Sequence, residues 1–234
     1  MKLSIICPAC NEKGNLKELI ERVFSSLPDL FKNNNAELIF VDDGSNDGSR
    51  ELLENLLKKN SSIKLLIHDE RRGQAAALSS GFLSAAGDII ITMDADLQVF
   101  PEDLPLFLNK MDEGFDFVNG ARIARQDGVI LKLSSRFLSF LISTILNIKI
   151  KDAASNFTAV KRRFVKNLRL LANDHRYIIL IVKSRGATRI TEIKVRHAMR
   201  QKGRSKYKLS KVISAIPELF SFYSRFKKGY YCVN

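Results

Sequence analysis

Short apolar runs and longer stretches of helical period alternate along the first 120 residues. Runs rich in β-branched and aromatic residues fall at 3–7, 37–41, 63–67, 89–93 and 116–119. Between them, 15–27, 48–59, 74–86 and 102–113 place apolar residues at the three- and four-residue spacings of an amphipathic helix. Strands alternating with helices over short links predict a parallel sheet covered on both faces. Ser45, Asn46 and Asp47 are N-cap candidates for the second helix, and Pro101 stands where a first helical turn would begin. In such a sheet the functional groups gather beyond the carboxyl ends of the strands.

After residue 120 the pattern changes. Residues 129–148 predict a long helix, 156–160 and 189–195 short strands, and 198–208 a basic loop. Residues 209–226 predict a second amphipathic helix, with Pro217 as a kink or break. Three stretches follow: 1–120, 121–208, and a basic helix and tail at 209–234. The fold class is α/β, a Rossmann-like, mostly parallel sheet flanked by helices, with amphipathic interface helices at the C-terminal end.

Composition adds a division. The 234 residues are 45% hydrophobic and 27% charged, which suits a chain that buries a core. The net charge of +13 is unevenly spread. Residues 1–120 hold 12 basic and 20 acidic side chains, net −8, and residues 121–234 hold 26 basic and 5 acidic, net +21. A uniformly basic nucleic-acid coat is thereby excluded as the simplest reading. The basic half is expected to meet polyanions or an anionic membrane. Three cysteines make no disulfide framework and point to a reducing compartment. The first apolar run is cut by Pro8, too early for a signal-peptide core. The most apolar stretch, 137–148, falls short of the roughly 20 residues that span a bilayer.

The expected strand ends carry the chemistry. The first closes on Pro8, Ala9, Cys10, Asn11 and Glu12, the second on Asp42 and Asp43, the fourth on Asp94, Ala95, Asp96, Leu97 and Gln98. Two carboxylates at i and i+2 past a strand can converge on one hard cation, Mg²⁺ or Mn²⁺, which takes oxygen ligands and bridges them to phosphates. Gln98 would add an amide oxygen or hold the metal's water. The plainer alternatives are helix capping by Asp42 and Asp43 and a solvated acidic turn at Asp94 and Asp96.

These motifs, with Gly73-Gln74-Ala75 and Pro101-Glu102-Asp103 in the same order, resemble family 2 glycosyltransferases of GT-A fold. In particular they are similar to dolichol-phosphate mannose synthases and bacterial polyprenyl-phosphate sugar transferases, over about residues 1–210. The resemblance implies that 1–120 is the nucleotide-sugar-binding half and 121–208 the acceptor-binding half of one domain. It implies that Pro8, Ala9, Glu12, Asp42, Asp43, Gln74 and Ala95 bind the nucleotide sugar, and that Asp94, Asp96 and Gln98 hold the metal and diphosphate. It assigns Arg122 and Arg136 to the acceptor phosphate, with Ser135 and Ser139 nearby. His197, Arg200, Arg204, Ser205 and Lys206 match a late basic loop closing over the donor's diphosphate, with Arg200 and Lys206 contacting the nucleotide sugar. Two positions depart from the pattern: Cys10 stands where Tyr is usual, and Asn156 where Gly is usual. Asn tolerates left-handed backbone better than other side chains.

The resemblance implies a metal-dependent inverting hexosyltransferase, using a GDP- or UDP-sugar and a polyprenyl phosphate. A family 2 transferase with a saccharide acceptor is the alternative. A phosphate monoester is already an anionic nucleophile, so the acceptor needs placement rather than a general base. The apolar residues of 129–148 and 209–226, flanked by Lys and Arg, suit the lipid interface or, alternatively, ordinary core or a dimer contact. The expected location is the cytoplasmic membrane face, peripheral or through a membrane partner, with no nucleic acid and a homo-oligomer as an option. Cys7 and Cys10 have redox spacing but no supporting context. His68, His175 and His197 are too scattered for a histidine metal site.

Overall fold

The computed structural model describes residues 2–58, 60–123, 150–153, 155–198 and 215–231, together with Phe140 and Thr144. Among the described residues seven strands form one sheet: β1 (Leu3–Ala9), β2 (Ala36–Asp43), β3 (Ile63–His68), β4 (Ile89–Thr92), β5 (Phe117–Arg122), β6 (Thr158–Lys161) and β7 (Ile190–Val195). Their spatial order is β3-β2-β1-β4-β6-β5-β7. β1, β2, β3 and β4 are parallel neighbours, β5 and β7 are parallel, and β6 alone is antiparallel to both strands beside it. All seven expected strands are present, and β5 crosses the division drawn at residue 120.

Helices α1 (Lys13–Ser26), α2 (Pro28–Lys32), α3 (Ser49–Leu57), α4 (Gln74–Ser84) and α5 (Leu104–Asp112) follow the strands, α5 behind a 3₁₀ turn at Pro101–Asp103. Helix α6 (Ile178–Ser184) lies outside the expected pattern. Its residues 178–182 are all buried, so it shows no polar stripe by which a helical period could be read. Of the helix expected at 129–148 only Phe140 and Thr144 are described, both helical; the rest lies outside the described residues.

The core fills both faces of the sheet. On one, Leu16, Leu19 and Val23 of α1 and Phe107 of α5 pack on Ile5, Leu38 and Ile91. On the other, Leu78 and Phe82 of α4 and Ile181 of α6 pack on Ile6, Ile39 and Ile90. α4 lies so close to β1 that a Cβ on Gly81 would sit 2.4 Å from the Ile6 side chain. The last described helix is α7 (Ala215–Lys227), which contains Pro217; the stretch before it that the expected helix shares lies outside the described residues. α7 docks through Phe222, stacked on Tyr177 at 4.3 Å and beside Tyr231. Arg225 and Tyr231 both bond the buried Asp174 carboxylate. Phe220 (70% exposed), Tyr223 (52%) and Tyr230 (49%) remain outside, near Lys227 and Lys228.

Candidate nucleotide and metal site

The sheet order reverses at β1, and there the strands separate. The β1–β4 register ends at Ile6 opposite Thr92, and Met93 N donates to Ile6 O at 3.0 Å. In a parallel ladder the next bond would run from residue 8 to the Met93 carbonyl, but Pro8 has no N–H. β1 therefore continues beside β2 alone, to Ala9 opposite Asp42, while the chain after β4 turns away. A crevice opens between them at the carboxyl edge of the sheet, where ligands bind in open α/β folds.

The loop after β1 is tied to the loop after β2. Asn11, in left-handed backbone at φ 58°, donates its N–H to Ser45 Oγ and accepts from Asn46 N. Glu12 N donates to Ser49 Oγ, and Lys13 N to Asp47 Oδ2. The Glu12 carboxylate accepts from Asn15 at 2.7 Å. Pro8, Ala9 and Glu12 thus stand on a fixed rim of the crevice.

Asp42 and Asp43 have different duties. Asp42 is fully buried; Oδ2 meets Arg50 Nε at 3.3 Å, and Oδ1 has no hydrogen-bond partner. A buried carboxylate oxygen without a donor is a costly state. Asp43 instead binds His68 Nδ1 and the backbone N–H groups of Arg72 and Gly73, all at 2.8–2.9 Å. Burial alone would raise its pKa, but these bonds hold it below the usual carboxylate range. Asp43 thereby shapes the turn into α4, where Gly73 takes φ 91° and lets Gln74 open the helix toward β4.

Gln74 Nε2 reaches Asp94 Oδ1 at 2.7 Å, and Asn156 Nδ2 donates to Asp94 Oδ2 at 3.2 Å. Desolvation and the like charge of Asp96 push Asp94 up to about 6, against the opposing pull of Asn156, Arg122 and Gln74. Asp96 Oδ1 accepts the Gln98 N–H, an Asx turn that carries Leu97 through left-handed backbone at φ 59°. For a leucine that conformation is strained, by about 1–2 kcal/mol. Val99 pairs with His197, and Ala198 N donates to Gln98 O, so the root of the expected basic loop lies against the Asp94–Gln98 turn. Arg196 fixes that root by three bonds to Asp103.

On the far side of the crevice Arg122 forks onto Asp152 through Nε and Nη2, at 2.6 and 2.9 Å. Asp152 is placed by Glu192 of β7, which accepts its N–H and that of Lys151. The structure therefore brings Pro8, Ala9, Glu12, Asp42, Gln74, Asp94, Ala95, Asp96, Gln98 and Arg122 to one edge. Arg136, Ser135, Ser139, Arg200, Arg204, Ser205 and Lys206 lie outside the described residues. Asn156 was marked in the sequence only as a departure from a pattern; its amide on Asp94 makes it part of the site. Cys7 is buried and its thiol is pushed up by desolvation and by Asp94, which removes the thiolate a redox site needs.

The donor set fits a divalent cation of the Mg²⁺ class. Among the described residues no cluster of three acidic, histidine or cysteine side chains exists. Mg²⁺ needs only one or two carboxylates when substrate phosphates and water complete its shell. Asp94 and Asp96 give that number, and their mutual repulsion is the charge a cation would relieve.

Comparison with known proteins agrees with this geometry. The model of glycosyl transferase family 2 matches residues 4–169. The undecaprenyl-phosphate 4-deoxy-4-formamido-L-arabinose transferases of Salmonella choleraesuis and Salmonella paratyphi B are each 36% identical over 219 residues, 93% of this chain. The chain spans 66% of the length of these curated relatives. Glucosyl-3-phosphoglycerate synthase of Mycobacterium tuberculosis, solved with Mn²⁺ and UDP-glucose, superposes with a TM-score of 0.72 at 20% identity, covering 94% of this chain and 78% of that one. The same enzyme with Mg²⁺ and UDP gives 0.72 at 19%, covering 94% and 79%. The sheet is thus that of GT-A glycosyltransferases. With the family match over residues 4–169 and the acidic strand ends in their expected places, the chain belongs to glycosyl transferase family 2.

Proposed function

We propose that this chain transfers a sugar from a nucleoside diphosphate sugar to a polyprenyl phosphate at a membrane surface, with Mg²⁺ or Mn²⁺ held by Asp94 and Asp96. The observation that carries the reading is the state of the two crevice carboxylates. Asp42 Oδ1 is buried without a donor, and Asp94 is raised to about 6 beside Asp96. Both are relieved by one kind of ligand, a nucleoside diphosphate with its cation. Asp42 Oδ1 would accept a hydrogen bond from an imino or hydroxyl group of the nucleoside once the side chains that cover it move aside. When bound, the cation would neutralise the departing diphosphate.

The chain's own groups do the rest. Gln74 and Asn156 orient the Asp94 carboxylate, and the Asx turn orients Asp96. Asp152 aims Arg122, whose guanidinium suits a phosphate oxygen of the acceptor. The acceptor oxygen attacks the anomeric carbon in line, the bond to the diphosphate breaks, and the configuration inverts. No proton needs removal from a phosphate already ionised.

The acceptor reading draws on the named activity of the Salmonella relatives and on α7. That helix shows Phe220 and Tyr223 to solvent beside Lys227, and Lys228 and Tyr230 follow its end, a composition that lies well in a lipid interface. No helix among the described residues is long and apolar enough to cross a membrane.

The test is a donor panel of GDP-mannose, UDP-glucose and UDP-N-acetylglucosamine, read as nucleotide release with and without polyprenyl phosphate. Release with one donor, dependent on the lipid and on Mn²⁺ or Mg²⁺, is expected. Arg122→Gln is expected to lose lipid-dependent release while still binding nucleotide with Mn²⁺. Release supported equally by a saccharide acceptor, or a product of retained configuration, overturns the reading.

A further inference from the structure

Behind Asn156, on the side of the sheet that α4 covers, lies a cavity of about 10 Å³. Its lining includes Thr92, Ser155, Asn156, Thr158 and His175, with Leu78 and Phe82 closing the apolar side. Such a volume is at the threshold for one water molecule, which also needs two to four polar partners. His175 is 7% exposed, and its Nδ1 is buried with no hydrogen-bond partner. Burial, assisted by the charge of Arg176, lowers its pKa to about 3, so the ring is neutral at pH 7 and one of its nitrogens is an acceptor.

The protons can be counted. Thr92 Oγ1 donates to the Asn156 carbonyl at 2.6 Å, which uses its one proton. At the 3.0 Å contact between the two hydroxyls, Thr158 must then be the donor. Thr158 Oγ1 is left with lone pairs only. Ser155 Oγ accepts the Phe157 N–H at 3.3 Å and keeps its own proton to give. With His175 Nδ1 as the acceptor nitrogen, the cavity walls present two acceptors and one donor. One water molecule, with two protons and a lone pair, is the complement of that set.

We propose that this cavity is a single-water site whose water bridges His175 Nδ1, Thr158 Oγ1 and Ser155 Oγ, making His175 a positioning residue for Asp94 through Thr92 and Asn156. The route is short. The water anchors the Thr158 hydroxyl, which donates to Thr92. Thr92 holds the Asn156 carbonyl, and the Asn156 amide donates to Asp94. The positioning role rests on the metal-site reading above; the water site does not.

Three variants of the full chain test it, with Mn²⁺ plus UDP and Mn²⁺ plus GDP as calorimetric probes. His175→Phe fills the cavity and removes the acceptor, His175→Gln restores an acceptor, and Thr158→Val removes a second water partner without a change of shape. A crystal structure of the wild type is expected to show one ordered water within hydrogen-bond reach of all three atoms. His175→Phe and Thr158→Val are expected to weaken Mn²⁺-dependent nucleotide binding about 3- to 10-fold, below the roughly 10- to 100-fold that direct partners of a metal ligand are worth, because they act through two further groups. Metal-free nucleotide binding should not change, and His175→Gln should lie within about twofold of the wild type. A dry cavity overturns the water site. Wild-type Mn²⁺ dependence in a folded His175→Phe or Thr158→Val overturns the positioning role, as does an equal loss in His175→Phe and His175→Gln. Should wild-type binding of both nucleotides ignore Mn²⁺, the functional reading falls and takes the positioning role with it, while the crystal density still decides the water.

Discussion

The two edges of the sheet treat their carboxylates in opposite ways. At the amino edge Glu37 accepts from Ser4 and from Ala86 N and pairs with Lys64. Asp116 binds Lys161 and Arg163 and the N–H groups of Thr188 and Arg189. Both are held below the usual carboxylate range: burial works against ionisation there, and the hydrogen bonds outweigh it. At the carboxyl edge Asp42 keeps a buried oxygen without a donor, and Asp94 is raised to about 6. Asp43, Asp47, Asp103 and Asp152 at that edge are satisfied as well, because their oxygens hold loops, turns or an arginine in place. Acidic residues satisfied by the protein hold the fold. Those left to repel one another or to lack donors are the ones we propose meet a ligand.

The comparison breaks first at Asp96. Asp96→Ala removes one of the two carboxylates proposed to hold the cation and relieves Asp94 of a like charge. Metal-dependent sugar transfer is expected to fall by about 10²- to 10³-fold, on the scale of losing a principal electrostatic stabiliser. The melting temperature is expected to change little, since relief of the repulsion offsets loss of the Asx bond to the Gln98 N–H. Unchanged turnover would remove the cation from this edge.

Asp116→Asn probes the other edge and should do the reverse. One oxygen is lost from a carboxylate that serves two cations and two backbone donors. Lys161 and Arg163 can still reach water, so the loss is expected near 2 kcal/mol rather than that of a stranded buried charge. Urea denaturation reads it, and Mn²⁺-dependent nucleotide binding at saturating folded protein should be unchanged. Because Asp116 is depressed in the folded state, its contribution is present above the unfolded carboxylate pKa, about 4, and is lost as pH falls below it. The variant's deficit should therefore shrink in acid.

Much of this contrast was legible in the residues. Alternating runs placed five strands in the first 120 residues and short apolar runs two more after them, and the edge rule for parallel sheets placed Asp42, Asp94 and Asp96 together. What the pattern could not carry was the duty of each carboxylate. Asp42 and Asp43 are adjacent and identical in type, and only the position of His68 and the Gly73 turn separates them. Asn156 lies 62 residues from Asp94, on a chain that returns through β6, and no local period joins the two. Pro8, in contrast, was a readable sign. A proline inside a parallel strand had to fall where the ladder ended, and that is where the crevice opens. Helix α6 escaped because burial on every side erased its polar face.

Asp94→Asn is expected to shift stability by less than Asp116→Asn does, and in the opposite direction. The carboxylate is half-buried and raised to about 6, so at pH 7 without metal the folded protein carries an ionised group it would rather protonate. A neutral amide removes that strain. The Gln74 donor can keep an oxygen partner, and Asn156 can turn its amide to accept from the new N–H₂, so both bonds survive in principle. The net gain is expected near 1 kcal/mol, less than the full shift implies because solvent still reaches the site. It should appear as a melting temperature a few degrees higher at pH 7, in chelator, with transfer activity lost. The sign fixes the pH dependence. In the wild type the folded state binds the proton more tightly than the unfolded state, so stability from this group rises as pH falls from about 7 to about 4. The variant lacks that rise, and the two melting curves should converge toward pH 4. A variant less stable than the wild type at pH 7 would show that Asp94 is held like Asp116, and the distinction between the two edges would not survive.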